Sequence, residues 1–529
     1  MPKTTRLLSM LAATTVLAIS LVLPSSTPAS AAPVVDGAGS TWSQIAVDQW
    51  RADVARQGLT INYQGVGSSA GRVAYYQSQV DFAVSEIPFQ DGSQGGVNEI
   101  QAAKRRPYAY LPIVAGGTAF MYHLDIGGKR FTDLRLSPTT LAKIFTGAIK
   151  NWNDPAISSE NKGRVFPALP IKVVIRSDGS GTSAQFTAYM ASQTPSQWSA
   201  FCQKAGLGSS CPPTSLYPSP PSAGFAAQQF SDGVANFVAA PYNNGSITYV
   251  EYGYAKQRGY PVASIANKAG YYAQPNAQAV SIALQGARIN PDGTQILKGV
   301  YEFNDPRAYP VSSYSYMIVP TSEVEPFDED DGGQLGKFIL YFLCAGQQKS
   351  QQLGYSPLPK NLVQIGFDAV KKIPGAPKPP AITSCSNPTI TGNFITGAAP
   401  KPPDTEKATP VPPNSQNPAG NNTGGNTTGG NTTGGNTTGG TTDPGTTATD
   451  PGLTGVDPNL ASPAGQAAGD PLAASFGTGL VATAQPVQAG GKSETIPAML
   501  YVLIALTVVA GVFGIPALGS WLDRRKAAS

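Results

Sequence analysis

Between residues 171 and 191 a short β-branched run, Ile171-Lys-Val-Val-Ile175, passes through Arg176-Ser-Asp-Gly-Ser-Gly-Thr-Ser183 into Ala184-Gln-Phe-Thr-Ala-Tyr-Met-Ala191. The first run has the length and residue types of a buried strand, and the last reads as the opening turns of a helix. A strand that feeds a helix through a glycine-rich turn is a β-α unit, and the chain repeats it. Leu59–Tyr63 alternates like a strand, enters Gly65-Val-Gly-Ser-Ser-Ala-Gly71, and continues as helical Arg72–Gln79. Asp36-Gly-Ala-Gly-Ser-Thr-Trp42 precedes a helix over Thr41–Arg56, with Ala46, Trp50 and Val54 four residues apart and Gly58 as its stop signal. Alternation continues through Val80–Val84, Leu111–Tyr122 and Leu141–Phe145, and Gln334–Gly354 reads as an amphipathic helix with Leu335, Phe338, Ile339, Phe342 and Leu343 on one face. Repeated β-α units predict an α/β protein with mainly parallel sheets.

These turns also carry chemistry. A glycine-rich turn at a helix start points unpaired backbone N–H groups at whatever sits above it. Ser180, Thr182 and Ser183 add hydroxyl donors, and Arg176 offers a planar fork that matches an oxyanion. Glycine and serine also serve plain turns and helix caps, and one such loop alone decides nothing. Three helix starts dressed with Gly and Ser or Thr can converge on one small anion. Gly65-x-Gly67-x-x-Ala70, with Glu86 about twenty residues on, also fits a dinucleotide fingerprint. That fingerprint leaves Arg176–Ser183 unexplained.

Other classes fall away on composition. The 529 residues hold 36 basic and 32 acidic side chains, a net charge of +4, and no basic stripe suited to nucleic acid. His123 is the single histidine, which argues against a Ser-His-Asp triad and against histidine-rich metal sites. No nucleophile–base pair is evident, so a secreted phosphatase is a weak reading. The acidic run Glu323–Asp331 contains a proline and lacks EF-hand spacing, so it reads as a solvated surface loop.

The ends place the chain. Lys3 and Arg6, the apolar Leu7–Leu23 and Ala29-Ser-Ala31-Ala32 form a signal peptide over 1–32. Residues 396–494 turn to Pro, Gly, Thr, Asn and Ala, with Asn-Thr-Thr-Gly-Gly repeats, and read as a disordered linker. Ile496–Leu522 is apolar enough to span a bilayer, and Asp523-Arg-Arg-Lys526 follows it, so 495–522 is expected as a transmembrane helix and 523–529 as a cytoplasmic tail. The topology is type I, with 33–395 outside the cell membrane. Cys202, Cys211, Cys344 and Cys385 all lie in that exported part, and an even count there suggests disulfides. Of three possible pairings, Cys202–Cys211 with Cys344–Cys385 joins sequence neighbours and is favoured.

Gly37-Ala-Gly-Ser-Thr-Trp42, Asn62-Tyr-Gln-Gly-Val-Gly-Ser-Ser-Ala-Gly71, Asp81-Phe-Ala-Val-Ser-Glu86, Arg176–Ser183 and Gly354-Tyr-Ser-Pro-Leu-Pro359 together resemble the phosphate-binding proteins of bacterial phosphate ABC transporters. The resemblance covers about residues 34–375 and implies a two-lobed periplasmic-binding-protein fold closing on inorganic phosphate, with no cofactor, no metal and no catalysis. One lobe is then expected over 34–114 and 312–390, with the second inserted at 115–311. Matched by motif, Thr41 and Trp42 meet phosphate through the loop backbone and the Thr hydroxyl, and Ser68 donates from the second loop. Arg176, Ser180, Gly181 and Thr182 complete the cage, with Asp178 holding Arg176. The family's aspartate, which accepts the proton of monohydrogen phosphate, is here Glu86, and Trp42 stands where the family usually has Phe. The implied partner is an ABC permease in the same membrane. A cell-surface sensing or adhesion protein on the same fold is the alternative.

Overall fold

A computed structural model of the chain describes residues 33–92, 96–395 and 399–408. Strand β1 (Val34–Gly39) leads into helix α1 (Gln44–Ala55), and β2 (Thr60–Gly65) into α2 (Ser68–Tyr76). β1 lies parallel to β2 on one side and to β3 (Phe82–Ser85) on the other. Parallel neighbours need a crossover, and α1 and α2 supply it while covering the sheet.

Two long strands then carry the chain away from this sheet and back. β4 (Tyr108–His123) runs unbroken for 16 residues. Beyond it, β5 (Lys172–Arg176) feeds α3 (Gly181–Gln193), β6 (Ala226–Gln228) precedes α4 (Phe230–Ala239), and β7 (Ser246–Glu251) lies parallel to β5, as does β6. The return strand β8 (Ser312–Pro320) pairs antiparallel with the first half of β4, from Pro320 opposite Tyr108 to Ser312 opposite Gly117. The second half of β4 pairs antiparallel with β7, from Thr118 opposite Glu251 to His123 opposite Ser246. The resulting eight-stranded order is β2-β1-β3-β8-β4-β7-β5-β6. The sheet is therefore mixed, not mainly parallel. Each end is built of parallel β-α units, but the strands that pass between the ends run outward and back, and so oppose their neighbours. The ladder changes partner between Gly117 and Thr118, within a single strand.

Each end has its own core. Trp50, Phe82, Phe338 and Phe342 belong to one buried cluster, and Phe145, Trp152, Phe186 and Tyr249 to the other. Trp50 stacks on Phe342 at 4.9 Å between ring centroids, pinning α1 against helix α5 (Glu329–Leu343). That helix starts within the acidic run expected as a loop: Asp328 accepts from the N–H groups of Asp330 and Asp331 in a capping box. Carboxylates at a helix start complement its dipole, which is why the run's end is helical. The amphipathic stretch after it is broken, with a 3₁₀ turn at Ala345–Lys349 and a short helix at Ser350–Leu353.

Disulfides join Cys202 to Cys211 and Cys344 to Cys385. The packed chain runs past 395: the Glu406 carboxylate meets the buried Arg135 guanidinium at 2.7 Å, and the Ala408 N–H donates to Gly270 O at 2.6 Å. Among the described residues no helix is long and apolar enough to cross a membrane. The signal peptide, the linker beyond 408, the transmembrane stretch 495–522 and the tail 523–529 lie outside the described residues.

Candidate functional site

The motif-bearing loops meet in one cleft between the two ends of the sheet, where the C-terminal ends of parallel strands open. From the first end come the loop after β1 (Ser40, Thr41, Trp42), the start of α2 and the residue after β3, Glu86. From the second come the loop between β5 and α3 and the start of α4. Ser68 is 1% exposed, Glu86 1%, Arg176 3% and Thr182 1%, so the facing surfaces are shut away from water.

Glycine permits the close approach at two points. Gly67, the cap of α2, has φ of 87°, and a Cβ there would come within 2.6 Å of Asp178 Oδ2. At Gly181 a Cβ would lie 1.9 Å from Glu86 Oε2 and 2.6 Å from Ser68 Oγ. Neither position admits a side chain while the two walls touch.

On the second wall, Arg176 is gripped by Asp178 through two bonds, Nε to Oδ1 at 2.7 Å and Nη2 to Oδ2 at 2.5 Å, and its Nη1 donates to Ser231 Oγ at 3.3 Å. Asp178 Oδ1 also accepts from the Phe230 N–H at 2.9 Å, where Phe230 holds φ of 60°. Ser180 caps α3 by accepting from Ser183 N–H at 3.2 Å. Behind it, Ser183 Oγ and Tyr249 Oη pair at 2.8 Å, and burial pushes the Tyr249 hydroxyl up to about 12, so it keeps its proton at neutral pH. Thr182 Oγ1 is buried without a hydrogen-bond partner among the described residues.

On the first wall, Glu86 is the centre. Its Oε1 accepts from Ser40 Oγ and from Ser315 Oγ, each at 2.5 Å, and its Oε2 accepts from Ser68 Oγ at 2.7 Å. Burial, reinforced by the Glu86 carboxylate, pushes the Tyr63 hydroxyl well above its usual range, and that hydroxyl donates to Ser40 O at 2.8 Å. Trp42 is buried, its N–H donates to Ser40 Oγ at 3.0 Å, and its carbonyl accepts from Tyr355 Oη at 2.6 Å. Tyr355 belongs to the Gly354–Pro359 motif, which thus buttresses the first loop.

Bonds cross the cleft throughout. Gly181 N–H donates to Ser68 Oγ at 3.1 Å, Gln185 Nε2 to Glu86 O at 2.7 Å, Ser69 N–H to Gly179 O at 3.1 Å, and Thr41 Oγ1 pairs with Ser231 Oγ at 2.9 Å. The structure thus brings Thr41, Trp42, Ser68, Glu86, Arg176, Asp178, Ser180, Gly181 and Thr182 together. It also gives the Thr41 hydroxyl, the Ser68 hydroxyl and the Gly181 amide internal partners, where the sequence led us to expect donors aimed at a ligand. Ser40, Ser231, Ser315 and Gln185 were not anticipated. Ser40 lies inside a recognised motif and was within reach. Ser315 lies in a plain strand, Ser312–Pro320, with no glycine or motif beside it.

No cluster of three or more His, Cys, Asp or Glu side chains able to hold a metal ion occurs among the described residues. One arginine, helix-start amides and hydroxyls facing a buried carboxylate suit a small oxyanion that carries a proton.

Residues 26–345 match the family model described as a PBP superfamily domain. The chain is 31% identical to a phosphate-binding protein PstS of Xylella fastidiosa (strain Temecula1), over 64% of this chain and 86% of that protein. It is 30% identical to the phosphate-binding protein PstS2 of Mycobacterium bovis BCG, over 61% of this chain and 82% of that one. A solved structure described as a human phosphate binding apolipoprotein superposes with a TM-score of 0.50 at 20% identity, covering 65% of this chain and all of that one (100%), and supports the fold alone.

Proposed function

The chain belongs to the phosphate-binding protein family of the PBP superfamily, and from that membership we propose that it captures inorganic phosphate outside the cell by closing its two lobes and delivers the ion to an ABC importer. The observation that carries this reading is the meeting, across one dry cleft, of the Arg176–Asp178 pair and the start of α3 with Ser68 and Glu86. The two walls have opposite tasks. The Arg176 side offers positive charge and donors. The Glu86 side offers one acceptor edge, which only an oxyanion that still carries a proton can satisfy.

Entry of the dianion costs internal bonds. Phosphate takes the Gly181 amide from Ser68, the Ser68 hydroxyl proton from Glu86 Oε2, and the Arg176 Nη1 donor from Ser231. The Gly181 amide exchanges a neutral bond for a charge-assisted one, and Arg176 meets an anion in place of a neutral hydroxyl, both favourable changes. Thr182 Oγ1 gains a partner outright. Sulfate at neutral pH brings the same charge without the proton and leaves Glu86 facing an oxygen across a desolvated gap, a repulsive contact. The reading contains no catalytic step.

The finer parts of the proposal rest on sequence. The apolar stretch before Asp523-Arg-Arg-Lys526 tethers the protein to the membrane in which the importer sits, with the Pro/Gly/Thr-rich segment as a flexible leash. Calorimetry on protein stripped of carried-over anion tests the central claim. One equivalent of phosphate is expected to bind with measurable heat, and phosphate esters are expected to survive incubation. An absence of phosphate binding removes the reading.

A further inference from the structure

Glu86 is a longer and looser acceptor than an aspartate would be, with one more rotatable bond to hold still. The structure supplies the restraint. Ser40 Oγ and Ser315 Oγ both donate to Oε1 at 2.5 Å, while Oε2 receives only Ser68 Oγ at 2.7 Å. A carboxylate oxygen has about two acceptor positions, so the two serines fill Oε1 and leave one position open on Oε2. That open edge faces the start of α3, where a Cβ on Gly181 would sit 1.9 Å away.

Of the two serines, Ser315 is the informative one. It comes from β8, 229 residues from Glu86, and the β8–β4 ladder shifts register between Ser315 and Tyr316. The antiparallel β8–β3 ladder ends with Tyr316 opposite Ser85, which brings the next residue, Ser315, beside Glu86, with its hydroxyl on Oε1. Ser315 is fully buried, and among the described residues Glu86 is the one hydrogen-bond partner of its hydroxyl. Ser40, in contrast, also accepts from the Trp42 N–H and so supports the first loop.

We propose that Ser315, with Ser40, is a positioning residue that sets discrimination between protonated and fully ionised tetrahedral oxyanions, by fixing which edge of Glu86 the ligand meets. This rests on the phosphate-binding reading above. Without the Ser315 hydroxyl, Oε1 loses half of its restraint and the carboxylate can swing its free lone pairs away from the ligand. The contact that rewards a ligand proton then weakens, and so does the repulsion that rejects sulfate.

The test measures phosphate and sulfate affinity by calorimetry for wild type, Ser315→Ala, Ser315→Cys, Ser315→Thr and Glu86→Gln, with melting temperatures alongside. The loss of one charge-assisted bond corresponds to about tenfold or more. Ser315→Ala is expected to lower the phosphate-to-sulfate ratio by about that factor, partly by raising sulfate affinity, and Ser315→Thr is expected to keep the ratio near wild type. Weaker binding of both anions with an unchanged ratio would mean that Ser315 serves packing alone, and overturns the inference. If Ser315→Ala does not fold, the near-isosteric Ser315→Cys takes its place, with the same two outcomes. Glu86→Gln separates the failures. Discrimination lost in Glu86→Gln but kept in the Ser315 variants removes only the role given to Ser315, whereas discrimination kept in both removes the acceptor role of Glu86 itself.

Discussion

The two walls of the cleft are built in opposite ways. The Arg176 wall is local: charge, counter-charge, helix cap and amides all lie within Arg176–Ser183, and Asp178 reaches Arg176 from two residues away. The Glu86 wall is assembled from Ser40, Ser68, Glu86 and Ser315, which arrive on three different strands and a helix. A local wall is stiff by construction, because a turn and a helix start fix its donors. An assembled wall is stiff only while the sheet holds its strands in register. On the proposed reading, the donor wall sets how tightly an anion is held, and the acceptor wall sets which anion is held.

Substitutions that touch both walls should have the largest effect. Gly181→Ala leaves the helix free to form but places a methyl group 1.9 Å from Glu86 Oε2. The walls must part or Glu86 must abandon Ser68, and losing about two charge-assisted bonds corresponds to roughly 3–6 kcal/mol. Phosphate affinity measured by calorimetry should fall at least a hundredfold, while circular dichroism stays that of the native fold. A variant with near-native affinity would show that the walls do not meet at Gly181.

Next in size, Arg176→Ala strikes the donor wall alone. It removes the fork and leaves Asp178, whose side chain is 11% exposed, as an unpaired carboxylate at the edge of the cage. Affinity for every oxyanion should fall by about tenfold or more. The phosphate-to-sulfate ratio should hold, because Glu86 and its serines are untouched. If the ratio falls instead, the division of labour between the walls is wrong.

The same contrast explains what could be read from the chain. The β-α units, the anion-cradling loops and the Arg176–Asp178 pair are local patterns, and a residue string displays them directly. The mixed character of the sheet depends on β8 returning beside β4 nearly 200 residues later, and on β4 changing partners at Gly117–Thr118. Local periodicity carries no mark of that. Ser315 was invisible for the same reason: it meets Glu86 only because β8 returns beside β3 with Tyr316 opposite Ser85. The acidic run misled in the opposite direction. Its density of charge suggested a solvated loop, yet its last residues form a capping box whose carboxylates start α5.

The smallest expected effect sharpens the donor wall most, because stability and affinity should move in opposite directions. Thr182 Oγ1 is buried with no hydrogen-bond partner among the described residues, whereas Ser180 caps α3 and the Gly181 amide is bonded to Ser68. A buried hydroxyl without a partner costs about 1–3 kcal/mol. Valine fills nearly the same volume, is branched at Cβ like threonine, and carries no polar atom. Thr182→Val should therefore raise the melting temperature of anion-stripped protein. On the proposed reading phosphate gives the Thr182 hydroxyl its missing acceptor, and a neutral donor to a charged oxygen contributes about 1.5–3 kcal/mol, so phosphate affinity of the variant should drop by about tenfold or more. Melting curves with and without phosphate check both signs in one experiment. A variant that loses stability in both conditions would mean that the hydroxyl is already satisfied in the folded protein, and that Thr182 belongs to the scaffold of α3 instead of the cage.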